Sequence, residues 1–107
     1  MKQLAEALLR DMLQVYSPSG REGDIGRLLV ARMRQMGFQA HLDDAGNAVG
    51  EIGSGDRTVV LLGHMDTVAG FVPVRVEDGR LFGRGAVDAK GQLAAFIVAA
   101  QMAGARD

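Results

Sequence analysis

The placement of glycine constrains this chain more than any other feature. Ten of its 15 glycines fall between Gly46 and Gly91. Glycine inside a helix or strand is destabilising by about 0.5–1 kcal/mol relative to alanine. A segment broken this often therefore favours short strands and turns, and the long elements must lie outside it.

The flanks have the spacing for that role. Leu4, Leu8, Leu9, Met12, Leu13 and Tyr16 recur at helical intervals over 3–16, opposite Glu6, Arg10, Asp11 and Gln14, which predicts an amphipathic helix. Ser17-Pro18-Ser19-Gly20 ends it, because Pro18 disfavours helix at Ser17 while Ser19 can cap the next helix. That second helix, over about 22–36, buries Ile25, Leu28, Leu29, Met33 and Met36, and Gly37 suits its end. The methionines, Met12 included, are core filler.

After Gly37 the period falls to two. Phe38, Ala40 and Leu42 alternate with Gln39, His41 and Asp43, and 38–52 reads as a hairpin turning at Asp44-Ala45-Gly46-Asn47. His41 lies on its polar face as a surface histidine. TVVLL at 58–62 is a continuous aliphatic run of the kind found in a strand covered on both faces. PVRVEDGRLF at 73–82 alternates on both sides of Asp78-Gly79, a hairpin signal. From about Lys90 to Ala103 the chain is helix-forming, and LAAFIVAA is apolar all round, so something outside the chain is expected to cover it. The order predicts an α/β fold, a mixed β-sheet flanked by helices.

Composition excludes several functions. With no cysteine there is no disulfide, thiolate metal site or cysteine nucleophile. Twelve basic and 13 acidic residues leave a net charge of −1 without a basic block, so neither nucleic acid nor an anionic membrane is an expected partner. The opening MKQLAEALLRDM is a poor signal peptide, and the apolar run Leu93–Ala100 is too short to span a bilayer. The expected location is the cytoplasm.

The residues that could carry chemistry gather between 64 and 88. His64 follows directly on a predicted strand, at the carboxyl end where open α/β sheets bind ligands. Asp66, two residues on, projects to the same side of an extended chain and can take the free ring N–H of a ligating histidine. Each has a bland alternative: a strand-end histidine beside a turn-capping aspartate, and, for Asp88, a cap on the final helix. Phosphate-loop readings fail, because the last glycine of a GxGxxG beginning at Gly83 would be Asp88, and the second glycine of a GxxxxGK beginning at Gly85 would be Lys90.

GHMDTV at 63–68 and GRGAVDAKG at 83–91, with YSPSGREG at 16–23, resemble signatures of the co-catalytic zinc metallopeptidases. That family includes acetylornithine deacetylase, succinyl-diaminopimelate desuccinylase, zinc carboxypeptidases and aminoacylases. The resemblance implies metal ligands at His64 and Asp88, the latter bridging two divalent ions, zinc or cobalt. It implies a catalytic supporting role for Asp66, which would orient His64, and a cis peptide from Asp88 to Ala89. The short connection between the motifs, without a longer Trp-containing insertion, is similar to the lysine/ornithine hydrolases, which free the α-amine from an acetyl group or an amino-group carrier protein in lysine and arginine biosynthesis. Gln92 departs from that subgroup, which often has proline there. An acetylornithine- or succinyl-diaminopimelate-type deacylase or a dipeptidase of the same family is the alternative.

Members also carry a Glu-Glu pair, another acidic ligand and a distant histidine, whereas after Asp88 this chain has only Asp107 and no histidine. The expectation is that residues 1–107 are the amino-terminal portion of a catalytic domain, with the lid or dimerisation domain and the carboxyl-terminal half elsewhere in the same polypeptide. The parent is expected to be a homodimer. The portion alone is expected to be inactive and to bind zinc weakly, since a zinc site needs about three protein ligands. A reading of another class is a non-catalytic α/β module acting through binding or self-association.

Overall fold

A computed structural model describes residues 2–104; Asp107 lies outside them. The elements are α1 (Lys2–Leu13), α2 (Gly23–Gln35), β1 (Gln39–Leu42), β2 (Ala48–Glu51), β3 (Arg75–Glu77), β4 (Arg80–Phe82) and α3 (Gly91–Gly104). An irregular turn, Ala86–Lys90, leads into α3. The class is α/β, as expected. β1 pairs antiparallel with β2, Ala40 opposite Gly50, and β3 pairs antiparallel with β4, Val76 opposite Leu81. A parallel bridge joins Pro18 to Thr67. Both pairing senses therefore occur, but among the described residues the ladders form two separate two-stranded sheets.

The core follows the apolar spacing. Leu8 and Met12 of α1 and Ile25, Leu29 and Met33 of α2 are buried with Phe38, Ala40, Ala94, Ile97 and Val98. Removing a large apolar side chain from water stabilises by about 1.5–3 kcal/mol. α1 and α2 are also joined across their surface by Arg32 and Asp11. The β1–β2 turn is fixed by Asp43, whose carboxylate accepts the N–H groups of Ala45 and Asn47 at 3.0 and 2.8 Å. The Asn47 side-chain amide, its backbone N–H and then Ala45 hold the Asp43 carboxyl below its ordinary value.

Two expectations are corrected, for TVVLL and for Ser19. TVVLL is not a strand: no ladder includes 58–62, and Val59 and Leu62 are 84% and 83% exposed. Strand propensity expresses fit to a pleated, partly buried surface, and no described residue pairs with this segment. Among the described residues LAAFIVAA is covered on one side: Ala94, Ile97 and Val98 are buried while Ala95 and Ala99 are exposed. Ser19 does not cap α2, whose N-cap is Glu22 without a side-chain bond; its hydroxyl is engaged elsewhere.

Candidate metal centre

Two backbone devices bring the predicted residues together. The segment at 17–19 runs beside 65–67: Thr67 N–H donates to Ser17 O at 2.8 Å, Ser19 N–H to Thr67 O at 3.1 Å, and Ser17 Oγ to Met65 O at 2.9 Å. Ser17 and Thr67 are buried, so this tether holds Asp66 in register. The second device is the turn before α3. Gly85 enters it with φ +83°, Lys90 N–H closes it onto Gly85 O at 2.9 Å, and Asp88 sits inside it with φ −128° and ψ 93°, outside helical geometry. The Asp88–Ala89 peptide is cis. Asp88 is therefore no helix cap; its carboxylate is turned toward His64.

Lys90 secures the turn. It is 1% exposed, and its ammonium donates to Met12 O at 3.0 Å and Val15 O at 2.8 Å, at the carboxyl end of α1. Helix ends leave such carbonyls without intrahelical partners, and the negative end of the helix dipole favours a cation. Burial pushes the Lys90 ammonium down from 10.5 to about 8.

His64 stands between two carboxylates. Its Nε2 lies 2.9 Å from Asp88 Oδ1, and its Nδ1 lies 3.1 Å from Asp66 Oδ1 and 3.2 Å from the Asp66 carbonyl oxygen. Asp66 Oδ2 accepts from Ser19 Oγ at 2.5 Å. The bond to Asp88, then the Asp66 carbonyl, raise the His64 pKa above its ordinary 6.5, with burial opposing. Ser19, and after it the groups of Asp66 and His64, hold the Asp66 carboxyl low. The three residues line a cleft of about 560 Å³ shared with Ser19, Arg80 and Arg84. Arg84 Nε donates to Gly70 O at 2.6 Å, and Gly70 N–H donates to Tyr16 Oη at 2.6 Å, which fastens the loop beyond Thr67.

The donor chemistry suits a divalent ion in part. An imidazole nitrogen and a carboxylate oxygen converge within hydrogen-bonding distance, and a second carboxylate stands behind the ring, the usual arrangement around a ligating histidine. Among the described residues no group of three or more His, Cys, Asp or Glu could hold a metal ion. The chain therefore offers two donors where a zinc site takes about three protein ligands plus an open position. Sequence reasoning finds His64, Asp66 and Asp88 but misses the parts that hold them. It marks Ser19 only as a helix cap, and a lone lysine at a helix start gives no sign that it will be buried under another helix.

The chain is similar to known proteins along most of its length. The model of the peptidase family M20/M25/M40 matches residues 60–106, which contain all three site residues. The LysW-lysine hydrolase of Deinococcus radiodurans is 54% identical over 98 residues, 91% of this chain and 27% of that protein. The LysW-lysine/LysW-ornithine hydrolase of Saccharolobus solfataricus is 35% identical over 100 residues, 92% of this chain and 28% of that protein. The chain thus spans little more than a quarter of the length of these relatives. No helix among the described residues is long and apolar enough to cross a membrane. The likeness runs through most of the chain and takes in the motif pair whose side chains meet across 24 residues at His64 and Asp88; over residues 60–106 the chain is similar to peptidase family M20/M25/M40.

Proposed function

We propose that this chain is the amino-terminal portion of a metal-dependent amide hydrolase that releases lysine or ornithine from a carrier-protein-linked or N-acyl form. The observation that carries the reading is the convergence of His64 Nε2 and Asp88 Oδ1 at 2.9 Å, with Asp66 on the far side of the ring. His64 and Asp88 would hold the metal, with Asp88 shared between two ions, and Asp66 orients His64. Divalent ions, zinc or cobalt, would polarise the scissile amide carbonyl. The chain's own part is to hold the donors: Asp66 keeps a ring proton on Nδ1, leaving the Nε2 lone pair for the shared position.

The relatives named as LysW-lysine and LysW-ornithine hydrolases support this substrate class. The remaining ligands and the general base are assigned to the rest of the polypeptide, which acts in the cytoplasm as a homodimer with neither nucleic acid nor membrane as partner. The test is release of free lysine from Nα-acyl-lysine, followed by amino-acid chromatography, by a polypeptide that carries this chain at the length of its relatives. Zinc- or cobalt-dependent release, lost in His64→Ala and Asp88→Ala, is expected. Release that persists in both variants would sink the reading.

A further inference from the structure

Ser19 is a polar group beside the His64–Asp66 pair to which the hydrolase reading gives no role. Its hydroxyl lies 2.5 Å from Asp66 Oδ2, while Asp66 Oδ1 faces His64 Nδ1 at 3.1 Å. Both oxygens of the carboxylate are thus engaged, one by a donor on each side, and rotation of the carboxylate about its own axis would break both bonds. A carboxylate and a backbone carbonyl can only accept, so Nδ1, which faces one of each, and Nε2, which faces the Asp88 carboxylate at 2.9 Å, compete for the single ring proton of neutral His64. Two acceptors on the Nδ1 side against one on the Nε2 side favour the proton on Nδ1 as long as the Asp66 carboxylate is held in place. The serine backbone is placed independently of its hydroxyl: Ser19 N–H donates to Thr67 O, and its neighbour Ser17 is buried and bonded to Met65 O and Thr67 N–H.

We propose that Ser19 is a positioning residue of this centre: by clamping Asp66 Oδ2 it biases the ring proton of His64 toward Nδ1, against the pull of Asp88, and so frees Nε2 for the position shared with Asp88. The metal-affinity consequence rests on the hydrolase reading; the tautomer itself does not. Removing the hydroxyl frees the carboxylate to rotate and leaves the Asp66 carbonyl as the remaining fixed acceptor for Nδ1. Losing a partner that stands behind a ligand in this way weakens metal binding about 10- to 100-fold, and Ser19, one bond further out, should lie at the tenfold end of that range.

The test uses long-range proton–nitrogen spectra of the full chain without metal, at about pH 9, well above the ordinary imidazole value. Ser19→Ala should move His64 toward the tautomer protonated on Nε2, and Ser19→Thr should restore the wild-type balance. In the longer polypeptide, zinc titration should show affinity weakened about tenfold in Ser19→Ala and restored in Ser19→Thr. A Ser19→Ala variant with the wild-type tautomer balance overturns the assignment, even if it melts earlier, since that would make the serine a structural residue only. Because the spectra need neither metal nor substrate, their failure is distinct from failure of the hydrolase reading.

Discussion

Replacing Gly85 by alanine should damage the centre in two separable ways. Gly85 has φ +83°, and a Cβ there would lie 2.5 Å from Thr67 Cγ2 and 3.4 Å from Asp88 O. The left-handed conformation alone costs a non-glycine residue roughly 1–2 kcal/mol. Thr67 cannot move aside cheaply, because it is 5% exposed and its backbone and hydroxyl are bonded to Ser17, Ser19 and Val68. Overpacking of this kind adds about 1–3 kcal/mol, so Gly85→Ala should destabilise by about 2–5 kcal/mol.

Gly79, in the β3–β4 turn, supplies the control. It has φ +74°, beside Asp78 at φ +52°, and a Cβ added there would meet nothing within 4 Å. Gly79→Ala should therefore show the conformational cost alone, roughly 1–2 kcal/mol. Urea denaturation of the two variants and the wild type measures both. The difference between the variants is the Thr67 contact, and with it the tie between the Asp88 turn and the extended segment that carries Asp66. Equal losses in the two variants would refute the packing argument, and a Gly85→Ala loss below about 0.5 kcal/mol, the usual range of a neutral surface change, would refute both parts.

Other expectations follow from the same structure. Lys90 titrates near 10.5 when unfolded and at about 8 when buried; between those values the unfolded chain holds more protons, so stability attributable to Lys90 should rise with pH by about 3 kcal/mol. Denaturation of wild type and Lys90→Met from about pH 7 to 10.5 checks this, and parallel curves would contradict it. In the metal-free chain the His64–Asp88 contact, which raises the His64 pKa, should contribute stability that is present below the ordinary value of about 6.5 and lost as pH rises through the raised value. Asp88→Asn should lower the His64 titration midpoint followed by NMR, and an unchanged midpoint would remove Asp88 as the cause. Ile25, fully buried in the core, should cost about 2–5 kcal/mol on Ile25→Ala, whereas Val60→Ala at a 68% exposed position should stay within about 0.5 kcal/mol. Denaturant titration of both variants checks the pair, and similar losses would contradict it.

Much of the fold is legible in the residues. Leu8, Met12, Ile25, Leu29 and Met33 advertise their helices because burial on one face demands 3.6-residue spacing, and they form the core. Asp78-Gly79 marks its hairpin because both residues take positive φ. His64, Asp66 and Asp88 are legible as a set only through their motifs, and their meeting depends on the irregular turn at 86–90. The hidden parts are contacts between residues far apart in the chain. Lys90 reaches carbonyls 75 and 78 residues away, and Ser19 reaches Asp66 across 47, with no local pattern to report either. TVVLL misleads for a related reason: a β-forming run becomes a strand only where another strand is present to pair with it.

The proposed role of His64 and Asp88 as metal holders, with Asp88 serving two ions, is tested most directly by metal content. That content is measured by mass spectrometry after gel filtration of the longer polypeptide as wild type, His64→Ala and Asp88→Ala. The expected result is about two divalent ions per wild-type chain, the number of a co-catalytic site, with fewer in His64→Ala and fewest in Asp88→Ala. Wild-type content in both variants, with their fold intact, would contradict it.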